Sequence, residues 1–215
     1  MHHVVALIRP PQSTFELACT AQVFGIKRSG LPTRYAFGVC TERPGRVATH
    51  AGYDMLVTDG LDALDRADTV VVPGWLPTGE PPSPRSSSAA PRALLRARVV
   101  SICSGVFALA HAGLLDGRRA TTHWGLADEL AARFPHIRVD PDVLYVDHGD
   151  VATSAGAGAG FDLCMHLVRT DQRPVRRAHR THHGHAAPSR GRAVAVLGAA
   201  TPRQIGDTLA PTGFL

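Results

Sequence analysis

Apolar residues follow one another along the chain in two rhythms. Unbroken runs rich in valine and isoleucine stand at residues 3–8, 35–40, 68–75 and 99–102, and each stops at a proline, a glycine or a small polar residue. Between them lie stretches with apolar positions three and four apart, at residues 15–25, 61–64, 106–110, 125–134 and 160–168. Runs of the first kind predict buried strands, and the second spacing predicts amphipathic helices. Their alternation predicts an α/β fold: a flavodoxin-like, doubly wound sandwich on a mostly parallel sheet. Two polar breaks predict hairpins instead, one over residues 47–57 with Gly52 at its turn, the other joining 143–147 to 150–154 across His148-Gly149. Residues 77–91 are rich in Pro and Ser and predict a loop, while 92–98 predict a helix that is short for a crossover.

The strand at 99–102 ends in Cys103-Ser104-Gly105 and passes at once into the helical pattern of 106–110. A strand, a sharp turn and a helix in that order form a nucleophile elbow, here with cysteine where serine is common. The turn lifts the thiol out of the sheet, and the free amides of a helix N-terminus favour thiolate over thiol. The strand at 68–75 likewise runs into Gly74-Trp75, at the carboxyl edge where open α/β sheets place their sites. Glu16 falls in the first turn of the helix capped by Ser13 or Thr14, where a carboxylate suits the helix dipole whether or not it serves a site. Gly156 to Gly160 opens a helix after a strand but lacks the G-x-G-x-x-G spacing, so close packing of helix on sheet accounts for it better than a dinucleotide.

Composition narrows the classes. The chain has 215 residues, 44% apolar and 19% charged, and no run long enough for a membrane-spanning helix. Its first residues lack the flanks of a signal peptide, so a cytoplasmic protein is expected. Cys19, Cys40, Cys103 and Cys164 have no metal-like spacing; all but Cys103 sit in apolar runs as core thiols. The pI of about 9.5 suggests nucleic acid until the charge is located. Eight arginines from Arg169 onward, against Asp171 and Asp207, carry +6 of a total of +5, which leaves the body at −1 and excludes a basic DNA-binding face there.

Four segments together resemble one family: Ser-Ile-Cys-Ser-Gly at 101–105, Gly-Leu-Leu-Asp-Gly-Arg-Arg-Ala-Thr-Thr-His-Trp at 113–124, Val-Asp-Pro-Asp-Val-Leu-Tyr-Val-Asp at 139–147 and Thr-Ser-Ala-Gly at 153–156. They are similar to the ThiJ/PfpI-type, class I glutamine amidotransferase-like domain, most of all the version at the N-terminus of AraC-family transcriptional regulators. The resemblance covers about Val4 to Arg169 and predicts one domain over residues 1–170. It implies Cys103, Glu16 and His123 as the reactive set: a thiol nucleophile, a carboxyl group beside it and an imidazole for proton traffic. Gly74, Trp75 and Ser104 are the implied ligand contacts, with the Ser104 and Trp75 amides as oxyanion donors. In the regulator branch the site senses a small molecule or a redox change, in a homodimer that meets DNA only through a C-terminal domain. The alternative is a stand-alone, cysteine-dependent hydratase or hydrolase, such as an isonitrile hydratase, a glyoxalase-like hydratase or an amidase. Neither a cofactor nor a metal is implied.

Only 46 residues follow Arg169, too few for the pair of helix-turn-helix units of those regulators, so a chain without the DNA reader is expected. Residues 171–215 predict a basic tail that is disordered or out of frame. A one-nucleotide shift near 173–178 permits a peptide resembling the linker of the regulators, and a shift at 85–88 permits a better crossover helix. Four histidines within 179–185 suit zinc in principle, but a solvated tail explains them as well.

Overall fold

A computed structural model describes residues 1–27, 29–30, 32–83, 97–172 and 185–186. The predicted crossover helix at 92–98, both shifted-frame segments and most of the tail lie outside these residues, apart from Ala97, Arg98 and the four tail residues 171, 172, 185 and 186. The central sheet has seven strands: β1 (His2–Ile8), β2 (Tyr35–Thr41), β5 (Thr69–Pro73), β6 (Arg98–Ile102), β9 (Tyr145–Asp147), β10 (Val151–Ser154) and β11 (His185–Ala186). Their order is β11-β9-β10-β6-β5-β1-β2, parallel from β10 to β2, with β9 and β11 antiparallel at one edge. The mostly parallel α/β sheet thus forms as the rhythm predicts. β11 is a departure, because it places two residues of the expected disordered tail on the edge of the sheet.

Both faces of the sheet are covered, which is why β1, β5 and β6 carry apolar residues at consecutive rather than alternate positions. Val5, Leu7, Val70, Val72 and Val99 pack against Phe107 and Leu109 of α2 (Val106–His111) and Leu130 of α3 (Ala127–Arg133). On the opposite face Val4, Val71, Val100 and Ile102 meet Phe24 and the inner side of α4 (Gly158–Asp171), including Leu163 and Leu167. The helix expected over 15–25 is shorter: α1 (Thr14–Thr20) widens into a π-helical turn over Ala21–Gly25. The hairpin at 47–57 forms from β3 (Gly45–Ala48) and β4 (Asp54–Val57), with Gly52 at φ +82° in its turn. The extended piece at 119–124 contributes only β7 (Arg119–Ala120), paired in parallel with a strand the pattern does not reveal, β8 (Arg138–Val139).

At the starting ends of the strands a polar cluster ties α4 to the sheet. Arg98 donates to both oxygens of Asp171 at 3.0 and 3.1 Å and to Thr69 Oγ1 at 3.0 Å, while the Tyr35 hydroxyl donates to Asp171 at 3.0 Å. Burial, and next the Asp171 charge and its hydrogen bond, hold the Tyr35 phenol well above the ordinary tyrosine value. A proton held more tightly in the folded state stabilises it below the free pKa of about 10, and that contribution is lost as pH rises through the folded value. Urea midpoints measured from pH 8 to pH 11 should therefore fall in the wild type and fall less in Tyr35→Phe.

Candidate functional site

β6 delivers Ile102 in extended conformation at φ −120°, and the next residue, Cys103, turns into the left-handed region at φ +58°. For a residue with a Cβ this conformation costs about 1–2 kcal/mol and persists only where packing enforces it. The enforcement is visible in the flanking glycines. A Cβ on Gly105 would lie 2.0 Å from the Val72 carbonyl oxygen, and one on Gly160 would lie 2.5 Å from Ile102 Cγ2. The turn therefore presses against the end of β5, and α4 against the end of β6. Strand β6, a tight turn at Cys103 and α2 follow one another in the predicted order, and of the glycines at 156–160 Gly156 and Gly160 stand at close approaches while Gly158 has open space around it.

Around the sulfur the structure brings together the three residues implied as reactive. Glu16, buried on the first turn of α1, hydrogen-bonds with the Cys103 side chain. A Cβ placed on Gly156 would meet both His123 Cδ2, at 2.5 Å, and Cys103 Sγ, at 3.3 Å, so this glycine leaves room for the imidazole and the thiol to share one wall. Ser13 stands at the N-cap of α1 as expected but makes no side-chain cap bond; its hydroxyl donates to the Glu16 carboxylate and fixes that group. His123 accepts the Gly125 amide on Nδ1 at 3.2 Å and caps the turn before α3, so part of its role is structural.

Three expectations change. The Trp75 amide, expected as an oxyanion donor, donates to Ser104 Oγ at 2.9 Å, and the Ser104 amide is directed to the Cys103 sulfur. The Trp75 side chain faces away from the site into the core, where it is 3% exposed, with its Nε1 donating to the Glu80 carbonyl at 2.9 Å. The thiol is also pushed up rather than down in pKa, first by burial and then by the Glu16 charge, with the Ser104 amide and hydroxyl acting the other way. The physical reason is that burial strips the thiolate of its hydration and the buried Glu16 adds a like charge, and together these outweigh the nearby amide and hydroxyl. Gly74 does line the site: at φ +93° its Cβ position lies 3.1 Å from Ser13 Cβ and 3.7 Å from Ser104 Oγ.

Two contributors carry no sequence signal of their own. Gln12, 1% exposed, donates from Nε2 to the Ser13 carbonyl at 2.8 Å and to the Pro73 carbonyl, and so binds the entry of α1 to the exit of β5. Thr122 donates to the Cys103 carbonyl at 2.9 Å and fixes the elbow backbone. Each lies next to a residue that the motifs single out, Ser13 and His123, and only the folded chain distinguishes them. Cys19, Cys40 and Cys164 are buried thiols, as expected. Among the described residues no cluster of metal-ligating side chains occurs, and no helix is long and apolar enough to cross a membrane.

Residues 2–170 match the family model described as the DJ-1/PfpI family. The chain is 34% identical over 148 residues to an uncharacterised Streptomyces lividans protein from the cpoL 5' region, covering 62% of this chain and 96% of that one. It is 35% identical over 129 residues to the HTH-type transcriptional regulator GlxA of Rhizobium meliloti, covering 58% of this chain and 38% of the regulator. A shorter match, 41% identical over 71 residues, is to isonitrile hydratase of Pseudomonas putida, with 33% of this chain and 30% of the enzyme covered. Among solved structures, an AraC family transcriptional regulator from Pseudomonas putida superposes with a TM-score of 0.67 at 20% identity, over 79% of this chain and 92% of that one, which shows a common fold.

Proposed function

Since the chain belongs to the DJ-1/PfpI family over residues 2–170, a family found both in AraC-type regulators and in enzymes, we propose that its elbow is a ligand- or redox-sensing site of the regulator kind. One observation carries this reading: a donor that turnover would need is already occupied by the protein itself. The Trp75 amide donates to Ser104 Oγ at 2.9 Å. An oxyanion hole works by presenting donors that need no rearrangement when charge develops, and here the Trp75 amide would first have to leave its partner. Burial and next the Glu16 charge push the thiol up in pKa, and a thiol is a poorer nucleophile than a thiolate, which favours ligand sensing over redox sensing within this reading.

In this reading Cys103, Glu16 and His123 form the reactive floor of the pocket, Gly74 and Ser104 its rim, and the Trp75 backbone a support. The protein acts in the cytoplasm as a homodimer. A thermal-shift screen of small metabolites against the purified protein, paired with turnover assays on methylglyoxal and an aryl isonitrile, tests it. The expected result is a saturable rise in the unfolding midpoint with at least one ligand class, reduced in Cys103→Ala and Glu16→Gln, with neither compound consumed. Consumption that disappears in Cys103→Ala would instead establish the hydratase alternative.

A further inference from the structure

Away from the elbow, at the starting ends of the strands, the π-helical turn Ala21–Gly25, the residues Ile26, Lys27 and Pro32 to Tyr35, and the last turn of α4 line an open-mouthed cavity of about 320 Å³. Phe24, Pro32 and Val168 give it apolar walls, and Lys27, Arg34 and Gln172 stand at its polar side. The volume falls within the range of roughly 300–1,000 Å³ typical of small-molecule sites. Its floor is built: Phe24 is 3% exposed and meets Tyr35 edge to face with ring centroids 5.0 Å apart. The Arg34 carbonyl accepts the His2 amide at 2.9 Å, which fixes the backbone from which the arginine projects.

Two further observations distinguish this cavity from an incidental gap. A π-helical turn costs stability relative to a continuing α-helix and is found disproportionately at functional sites, and here the turn itself supplies Phe24 and Gly25 to the wall. Beside it Ile26, also lining the cavity, is 50% exposed, an apolar side chain left at the lip of an apolar recess. The nearby acid, Asp171, is neutralised by its two hydrogen bonds from Arg98, so Lys27 and Arg34 set the sign of the local field.

We propose that this cavity binds a small amphipathic anion, a single carboxylate on a short apolar body. The head group lies on the Lys27 and Arg34 side, because the negative end of the α4 dipole repels an anion near Gln172. The apolar body lies against Phe24, Pro32 and Val168. The site is independent of the elbow, since Cys103 stands at the opposite ends of the parallel strands.

Hexanoate and 1-hexanol, titrated separately into the full 15N-labelled chain and followed by amide chemical shifts, test the assignment. Hexanoate should give saturable shifts at Phe24 to Lys27, Thr33 to Tyr35 and Val168 to Gln172, and hexanol at equal concentration should give at most a tenth of the affinity. The Lys27→Ala/Arg34→Ala double variant should weaken hexanoate at least tenfold while its unfolding midpoint stays at the wild-type value. Val23 also lines the recess, and filling it with Val23→Trp should abolish the shifts. Equal binding of hexanol, hexanoate affinity unchanged in the double variant, shifts centred on Cys103 and His123, or no saturable shift would each overturn the proposal.

Discussion

Gly105→Ala is expected to unfold most readily of the single-methyl additions in this protein, losing at least about 3 kcal/mol of stability. The added carbon would sit 2.0 Å from the Val72 carbonyl oxygen, 3.0 Å from its carbon and 3.2 Å from the Gly74 amide nitrogen. All three are backbone atoms, so no rotamer change relieves the clash; β5 and the elbow must separate. For a domain of this size such a loss lowers the midpoint by roughly 6–12 °C. Gly160→Ala meets the side chain of Ile102 at 2.5 Å, which can give way in part, and should lose less. Gly158→Ala has open space around its new carbon and a helical position, so it should be neutral or gain up to about 1 kcal/mol. Thermal unfolding of the three variants should rank them in that order, and a wild-type midpoint for Gly105→Ala would contradict the close approach on which the elbow depends.

That clash explains why the elbow is legible in the sequence. Only glycine fits at position 105, and only a strand leading directly into a helix places Cys103 there, so spacing and residue type specify the geometry together. Glu16, Cys103 and His123 come together because motif residues mark strand ends and helix starts, whose positions the topology fixes. What escapes the sequence is hydrogen-bond allocation. Whether the Trp75 amide faces a ligand or Ser104 Oγ depends on ångström-scale placement that hydropathy does not encode. The same holds for the sign of the shift at Cys103: helix amides favour thiolate, but a buried Glu16 opposes them, and burial is a property of the folded chain. Edge elements are the least legible, since β8 and β11 are two residues long and carry no periodicity. The α1 register is clear from its apolar spacing, whereas its widening at Ala21–Gly25 answers to packing against β2 and α4.

Arg98→Ala should destabilise the protein by about 3 kcal/mol, a larger effect than any loss of an exposed ion pair. Its side chain is 12% exposed and that of Asp171 20%, so the pair has lost most of its water and the carboxylate would be left with the Tyr35 hydroxyl alone. The arginine is not fully satisfied either, because its buried Nε has no hydrogen-bond partner among the described residues. A pair that is partly desolvated and imperfectly bonded contributes little over an apolar replacement but costs much when halved. The double variant Arg98→Met/Asp171→Leu should therefore recover most of the stability lost in Arg98→Ala. Because Asp171 closes α4, the single variant should also speed amide exchange at Thr170 to Gln172 while leaving Leu163 and Leu167 protected. If urea unfolding of Arg98→Ala, Asp171→Ala and their double variant gives a coupling below about 0.5 kcal/mol, the two residues act independently and the clamp does not hold α4 to the sheet.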